Sequence, residues 1–143
     1  MPMDVQLVSP EKILYTGEAV GIVARTIGGG DIAFLPNHAP FIGALDIHPV
    51  VIHTLQSEGG SGADVVVAVH GGFVEVSDNK VTILSDVAEL PEQIDVARAE
   101  AAKARAEEAV RADADDADAK AALARAETRL TVKQGAGKTT AGH

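Results

Sequence analysis

Apolar and polar positions alternate in short runs through the first part of the chain, and turn-forming residues separate the runs. From Met3 to Val8, the apolar side chains of Val5 and Leu7 fall on one face, and Ser9-Pro10-Glu11 then ends the run. A period of two residues is typical of β-strands. The same pattern predicts further short strands, so that the full set lies at residues 3–8, 12–15, 18–27, 32–35, 41–46, 50–55, 63–70, 73–76 and 80–85.

Glycine-rich stretches and an aspartate–asparagine pair mark the turns between these strands. Gly28-Gly29-Gly30-Asp31 breaks the third run, residues 59–62 form the most flexible predicted turn, and Asp78-Asn79 turns the chain tightly. Residues 63–70 are rich in valine, with four in eight positions, which indicates a strand buried on both faces. Many short strands with no helical pattern among them predict a β-sandwich or a β-barrel.

The pattern changes near residues 87–92, and alanine then alternates with charged residues. Two such runs, Ile94 to Ala112 and Ala119 to Leu130, flank an aspartate-rich turn at residues 113–118. Alanine, glutamate, lysine and arginine are good helix formers, and no glycine or proline interrupts either run. Two helices joined by a short turn usually lie antiparallel. The chain is therefore predicted to be mainly β followed by α, with an N-terminal β-sandwich and a C-terminal antiparallel αα-hairpin.

These patterns divide the chain into three parts. Residues 1–88 form the predicted β-sandwich domain, residues 89–133 form the helical hairpin, and the glycine- and threonine-rich residues 134–143 form a tail that we expect to be disordered. Pro91 can occupy the first helical turn, where its missing N–H costs nothing.

Few large apolar side chains are available to attach the predicted hairpin to the rest of the chain. Burying an alanine methyl is worth only about 0.8 kcal/mol, and a leucine gives two to three times as much. A segment that is strongly helical but weakly docked can occupy more than one position, as a switch does. The alternative is a solvated hairpin that rests on its own domain. The large apolar residues are Ile94, Val96, Val110, Leu123, Leu130 and Val132.

Charge and composition exclude several classes of function. The net charge of −9 and a pI near 4.9 argue against nucleic acid or anionic lipid as a direct partner. The chain has no cysteine, so disulfides, thiol chemistry and zinc–cysteine sites are excluded. No apolar run approaches the ~20 residues that span a bilayer. We therefore expect a cytosolic chain that reaches a membrane only through another protein.

Three phrases of the sequence carry a resemblance to a known family. They are Leu35-Pro36-Asn37-His38-Ala39-Pro40, the segment Gly71 to Val76 continued by Asp78 to Leu84, and Ile94-Asp95-Val96-Ala97-Arg98-Ala99. Together with the order of a β-domain before an alanine-rich hairpin, they make residues 4–132 resemble the ε subunit of bacterial F-type ATP synthases. Asn37 stands where the family usually has glycine, and asparagine tolerates positive φ better than most residues.

The resemblance implies a non-catalytic subunit of the rotor. The β-domain would bind the γ subunit and the ring of c subunits of the proton-transporting synthase, and so couple proton flow to ATP synthesis. The hairpin would either fold onto the β-domain or extend along γ to the catalytic α and β subunits, where it blocks ATP hydrolysis. The expected location is peripheral, on the cytoplasmic face of the cell membrane, and no cofactor is required.

In several members of this family the phrase isoleucine-aspartate-x-x-arginine-alanine is associated with one regulatory ATP on the folded hairpin. By resemblance, Ile94, Asp95, Arg98 and Ala99 would contact that ATP. If the turn centres near residues 115–116, the two helices bring several arginines together, and arginine forks suit phosphate groups. The further candidate ligand residues are Glu89, Arg105, Arg125 and Arg129.

Two alternatives to this site remain open at the level of sequence. The arginines could be solvated or could reach the acidic loops of a partner, or the chain could be a free-standing nucleotide-sensing or adaptor module with no rotor partner. Other sites are rejected. Residues 135–140 resemble the end of a P-loop, but Val132 stands where the first glycine is required. No metal site is predicted, because no cysteine or clustered carboxylate lies beside the histidines at 38, 48, 53, 70 and 143.

Overall fold

The computed structural model describes residues 1–54 and 64–140, with side chains up to residue 135. The predicted turn at 59–62 and residues 141–143 therefore lie outside the described residues. In the described part, the strands are β1 (Met3–Val8), β2 (Ile13–Thr26), β3 (Gly30–Phe34), β4 (Phe41–Thr54), β5 (Val65–Ser77), β6 (Lys80–Leu84) and β7 (Ala88–Glu89). A 3₁₀ turn (Pro91–Gln93) then leads to helices α1 (Val96–Ala112) and α2 (Ala117–Thr140).

Three of these strands are longer than the sequence predicts. β2 continues through Gly17, β4 continues through Pro49, and β5 continues through Gly71-Gly72, where breaks between shorter strands were predicted. The pairing of β2 with β4 shifts register twice, between Ala19 and Gly21 and again further along. Such irregularities bend a strand without ending it, so residues that resemble strand breakers mark corners here.

The strands form two layers whose hydrogen-bonded order closes on itself. β1 pairs antiparallel with β2 and parallel with β6, and the order continues through β5 and β4 back to β2. β2, β4 and β5 each contribute one half to either layer. In the first layer the amino-terminal halves of β2 and β4 lie with the carboxyl-terminal half of β5, and the second layer contains the remaining halves. The predicted sandwich is therefore correct.

One hydrophobic core fills the space between the two layers. Its residues alternate along the strands, so that Val67 and Val69 of β5 point inward while Ala68 points outward. Both sides of β5 are buried at this point, as the valine run predicts. The core consists of Met3, Val5, Leu7, Ala19, Ile22, Ala24, Phe34, Leu45, Val50, Ile52, Val67, Val69, Val74, Val76, Val81 and Ile83.

Three places in the β-domain depend on backbone conformations that most residues avoid. Gly72 has φ +122°, and a Cβ at this position would clash with the carbonyl oxygen of Leu84, so the corner of β5 requires glycine. Asp78 and Asn79 both have positive φ in the two-residue connection between β5 and β6. Asn37 also has positive φ, at 67°, as the comparison with the family's glycine predicts.

The hairpin folds onto the outer face of the second layer. Ile94, just before α1, and Val132 of α2 pack on Ala68, and these three buried residues form what we call the docking cluster. Asp95 caps α1 by accepting a hydrogen bond from the backbone N–H of Arg98. Asp116 caps α2 in the same way, through the N–H of Ala119. The aspartate-rich turn therefore joins the helices because aspartate suits helix ends.

The end of α2 differs from the sequence prediction. A disordered tail was predicted from Gln134, whereas the helix runs on to Thr140. Each glycine in a helix interior costs about 1 kcal/mol relative to alanine, but extending an existing helix is much easier than starting one. The glycines at 135 and 137 therefore do not stop α2 at the predicted residue. Pro91 likewise lies in the 3₁₀ turn before α1 and not in the first turn of α1 itself.

Candidate functional site

A cleft of about 250 Å³ lies between the start of α1, the last strand of the β-domain and α2. We call it the hairpin cleft. The structure gathers here six of the eight residues predicted as a ligand site, together with two that the sequence did not point to, Gln93 and Ala102. The lining residues are Glu89, Gln93, Asp95, Arg98, Ala99, Ala102, Arg105 and Arg129.

Three residues of the isoleucine-aspartate-x-x-arginine-alanine motif have structural roles in this conformation. Ile94 does not line the cleft, because its side chain is 95 % buried in the docking cluster. Asp95 caps α1, and Ala99 is buried. Arg98 is exposed, and only its backbone N–H takes part in the cap. Arg98 is therefore the motif residue whose side chain is free to bind a ligand.

The arginines of the cleft differ in their partners. Arg129 donates from Nε to Oε1 of Glu89 at 2.7 Å. Among the described residues, the guanidinium groups of Arg98 and Arg105 have neither a hydrogen bond nor a carboxylate within salt-bridge distance. Three arginines against Glu89 and Asp95 leave the cleft with a net charge of +1 in a chain of net charge −9. The cleft is locally suited to an anion.

Glu89 also connects the hairpin to a buried histidine of the β-domain. Nε2 of His70 lies 2.8 Å from the same Oε1 atom, and the His70 side chain is 2 % exposed. Burial works to raise the pKa of Glu89, but the hydrogen bonds from Arg129 and His70 outweigh it and lower that pKa below its usual value. Glu89 is therefore ionised and bridges a strand to α2.

Sequence reasoning did not single out His70, because it weighed this histidine only as a metal ligand. The available signal was a lone polar residue at the end of the valine run. Burial lowers the pKa of His70, Arg129 and Arg125 lower it further, and the Glu89 carboxylate opposes the shift. Arg125, the second predicted residue that does not line the hairpin cleft, thus lies near His70.

Apolar side chains remain exposed on the outer face of the first layer. Ile42, Phe73 and Leu84 are 70 %, 55 % and 47 % exposed, and with Glu75 and Thr82 they line a shallow depression of about 380 Å³. We call Ile42, Phe73 and Leu84 the bare patch. The outer face of the second layer, in contrast, is covered by α2. Contiguous exposed apolar residues are a common mark of an interaction surface.

The loop between β3 and β4 is held in place from two sides. The imidazole ring of His38 packs against the ring of Phe34 in an edge-to-face arrangement, with ring centroids 5.1 Å apart. The backbone N–H of Asn37 donates to Oδ1 of Asn79, which also donates from Nδ2 to the carbonyl of Pro2. His38 and Asn37 thus help to order the loop at residues 35–40. A different question is whether any helix could span a membrane. Within residues 1–54 and 64–140, no helix combines the length and the hydrophobicity of a membrane span.

Family models match both parts of the chain. The β-sandwich domain of the ATP synthase delta/epsilon chain matches residues 2–91, and the long alpha-helix domain of the same chain matches residues 92–134. The chain belongs to this family. It is therefore a non-catalytic subunit of ATP synthase, in agreement with the resemblance carried by the three sequence phrases.

Individual relatives agree with the family models. The ATP synthase epsilon chain of Streptomyces griseus is 44 % identical over 128 residues, which cover 90 % of this chain and 92 % of the relative. That of Brevibacillus brevis is 48 % identical over 105 residues, with coverage of 73 % and 75 %. A chain in the cryo-EM structure of the Euglena gracilis mitochondrial ATP synthase shares the fold, with a TM-score of 0.65, 20 % identity and coverage of 97 % and 81 %.

Proposed function

We propose that this chain is the rotor subunit through which a proton-transporting ATP synthase couples proton flow to ATP synthesis and restrains ATP hydrolysis. Family membership supports this assignment. So does the fold shared with a chain of the Euglena complex of OSCP, F1 and the c-ring. The β-domain is the anchor, and the hairpin is the regulatory element. The protein acts at the cytoplasmic face of the membrane as a peripheral part of the complex.

The γ subunit and the c-ring are the proposed partners of the β-domain. The bare patch supports a contact with γ, because Ile42, Phe73 and Leu84 bring exposed apolar area to the side opposite the hairpin. The loop from Leu35 to Pro40 supports a second contact, because Asn79 and Phe34 hold it in one conformation. A rigid loop loses little entropy on binding.

The hairpin is the proposed inhibitor of ATP hydrolysis. In the conformation described here it lies on the β-domain, and its docking cluster has only three buried apolar residues among the described ones. Such a small contact can be exchanged for one with the catalytic α and β subunits. The folded hairpin is then the permissive state, and the extended hairpin is the inhibitory state.

One ATP bound in the hairpin cleft is the proposed regulatory signal. The observation that supports it most directly is the pair of guanidinium groups without carboxylate partners, Arg98 and Arg105, beside Arg129. A cleft of about 250 Å³ is small for a whole nucleotide, so it would enclose the phosphates and leave the rest near the surface. ATP would stabilise the folded hairpin because both helices and Glu89 line the cleft. The role is sensing, without hydrolysis.

Calorimetry on the purified chain tests this site. Titration with ATP should give saturable binding, and Arg98→Ala should weaken it about tenfold or more, since a hydrogen bond to a charged group is worth about 1.5–3 kcal/mol. Lys103→Ala is the matched control, because Lys103 lies on the same helix but lines a different depression. Equal affinity for the wild-type chain and the Arg98 variant would remove Arg98 from the site.

A truncated chain tests the inhibitory role within the assembled synthase. Removing residues from Glu89 onward should leave ATP synthesis largely intact and change the rate of ATP hydrolysis. Unchanged hydrolysis at every nucleotide concentration would contradict the role of the hairpin.

Size-exclusion chromatography of native lysate separates the proposal of a rotor subunit from that of a free-standing module, because only a rotor subunit migrates with the membrane-associated complex.

A further inference from the structure

Strand β5 presents one polar side chain to the hairpin. His70 lies two residues after Ala68, so both side chains point to the outer face that α2 covers. His70, Glu89 and Arg129 are joined through a single carboxylate oxygen at 2.8 and 2.7 Å. We call these three residues the latch. The latch joins β5, β7 and α2 directly beside the docking cluster.

The latch accommodates His70 only as the neutral ring. Within the described residues, Nδ1 of His70 is buried and has no hydrogen-bond partner. A proton on that atom would bury a donor without an acceptor, which is unfavourable. With neutral His70, the ring's contact at Nε2 with Glu89 is satisfied and no buried donor is left over.

The charges that face His70 come from the two elements packed against it. Glu89 of β7 is negative, and Arg129 and Arg125 of α2 are positive. A proton on His70 would raise the net charge of this group from +1 to +2. The added repulsion acts on the two arginines of α2, which move away from β5 if the hairpin leaves.

Proton binding and docking are therefore linked, and the sign follows from burial. Burial and the two arginines lower the pKa of His70 below its ordinary value of 6.5 in the docked state. In the undocked state the ring is exposed and those arginines are distant, so its pKa returns toward that value. The docked state thus binds the proton more weakly than the undocked state does. The preference for the docked state is therefore greatest above pH 6.5 and decreases as pH falls.

We propose that the latch holds the hairpin on the β-domain when His70 is neutral and releases it when His70 takes up a proton. Acidification then favours the undocked hairpin without any nucleotide. The proposal does not depend on ATP binding in the hairpin cleft, and its test contains no nucleotide.

The chain has no cysteine, so two introduced cysteines can carry spin labels at known positions. Asp46 of β4 and Glu127 of α2 are exposed and line the same groove between hairpin and β-domain, so Asp46→Cys and Glu127→Cys place one label on each side of it. The fraction of molecules with a short distance between the two labels then reports the docked fraction. Ala68→Glu, which places a carboxylate under the hairpin but outside the main core, supplies the undocked reference.

Between pH 8.0 and 5.5, the ratio of docked to undocked chain should fall by up to about tenfold per pH unit below 6.5. His70→Gln can still donate a hydrogen bond to Glu89 but cannot titrate, so its ratio should not change across this range. His48→Gln is the matched control, since His48 lines the labelled groove and does not contact the latch. A flat wild-type response, or the same response in His70→Gln, would overturn the proposal.

A second variant keeps every hydrogen bond of the latch. Arg125→Gln removes one positive charge facing His70 and leaves the contacts of Glu89 intact. Protonation of the docked state becomes easier, so release should move to lower pH. A midpoint that stays at the wild-type value, or moves to higher pH, would contradict electrostatic release.

Discussion

The core between the β-layers and the contact between the β-domain and the hairpin differ greatly in size. In the described residues, sixteen buried apolar side chains fill the space between the two β-layers, whereas the docking cluster between the β-domain and the hairpin has three, Ala68, Ile94 and Val132. The same strand supplies both, with Val67 and Val69 facing inward and Ala68 facing outward. The hairpin is thus held by a much smaller apolar cluster than the one that holds the β-domain together.

The small size of the docking cluster limits the free energy that holds the hairpin on the β-domain. Full burial of a valine or isoleucine side chain is worth about 1.5–3 kcal/mol, so the docking cluster contributes roughly 5 kcal/mol as an upper estimate. A few charge-assisted hydrogen bonds reach the same magnitude. The proposed signals, ATP and a proton, act on an interface of this magnitude, which is far smaller than the core of the β-domain.

The largest effect is expected for Val69→Ala, which removes two buried methyl groups from the main core. We expect the free energy of unfolding to fall by about 2 kcal/mol or more, because the lost transfer energy and the cavity add together. Urea denaturation followed by circular dichroism measures the change. An unchanged urea midpoint would mean that this part of the core is loosely packed.

Val132→Ala makes the same chemical change in the docking cluster. Here the loss should appear as opening of the hairpin, with faster hydrogen exchange at the backbone amides of α2 and little change in the unfolding of the β-domain. Hydrogen exchange followed by mass spectrometry separates the two regions. If Val132→Ala shifted the urea transition of the β-domain as much as Val69→Ala does, the two interfaces would form a single cooperative unit.

The smallest effect is expected at the surface pair Arg25–Asp31, whose closest atoms are 2.9 Å apart. The pair raises the pKa of Arg25 and lowers that of Asp31, chiefly through their hydrogen bond. Both side chains are largely exposed, and such pairs contribute little to stability. The thermal midpoint of Arg25→Ala should match that of the wild-type chain within error. A clear decrease would show that the pair also anchors the turn between β2 and β3.

The order and type of the elements could be predicted from the sequence because local patterns determine them. The period of two residues in Met3–Val8 and the positive φ of Asp78 and Asn79 are properties of a few neighbouring residues. The continuity of β4 through Pro49 could not be predicted in this way. It depends on pairing with β5, whose Ala68 lies opposite that proline.

The candidate site could be predicted in part for the same reason. Helical spacing and the position of the turn were enough to bring Arg98 and Arg105 toward Arg129. The sequence offered His70 only as a lone polar residue, and its burial could not be predicted because it depends on where α2 lies across β5. The motif gave no sign that Ile94 and Asp95 serve docking and capping, since a sequence phrase does not separate residues that fold the chain from residues that bind.

The closed order of the strands has a mechanical consequence. β1 is hydrogen-bonded on both sides, to β2 and to β6, so sliding any strand of that circuit breaks two ladders at once. A force applied to one strand is then shared by all the hydrogen-bonded strands of the closed wall, so the wall resists twisting better than an open sheet would. If the β-domain turns with the rotor as proposed, such a wall lets it do so without changing shape.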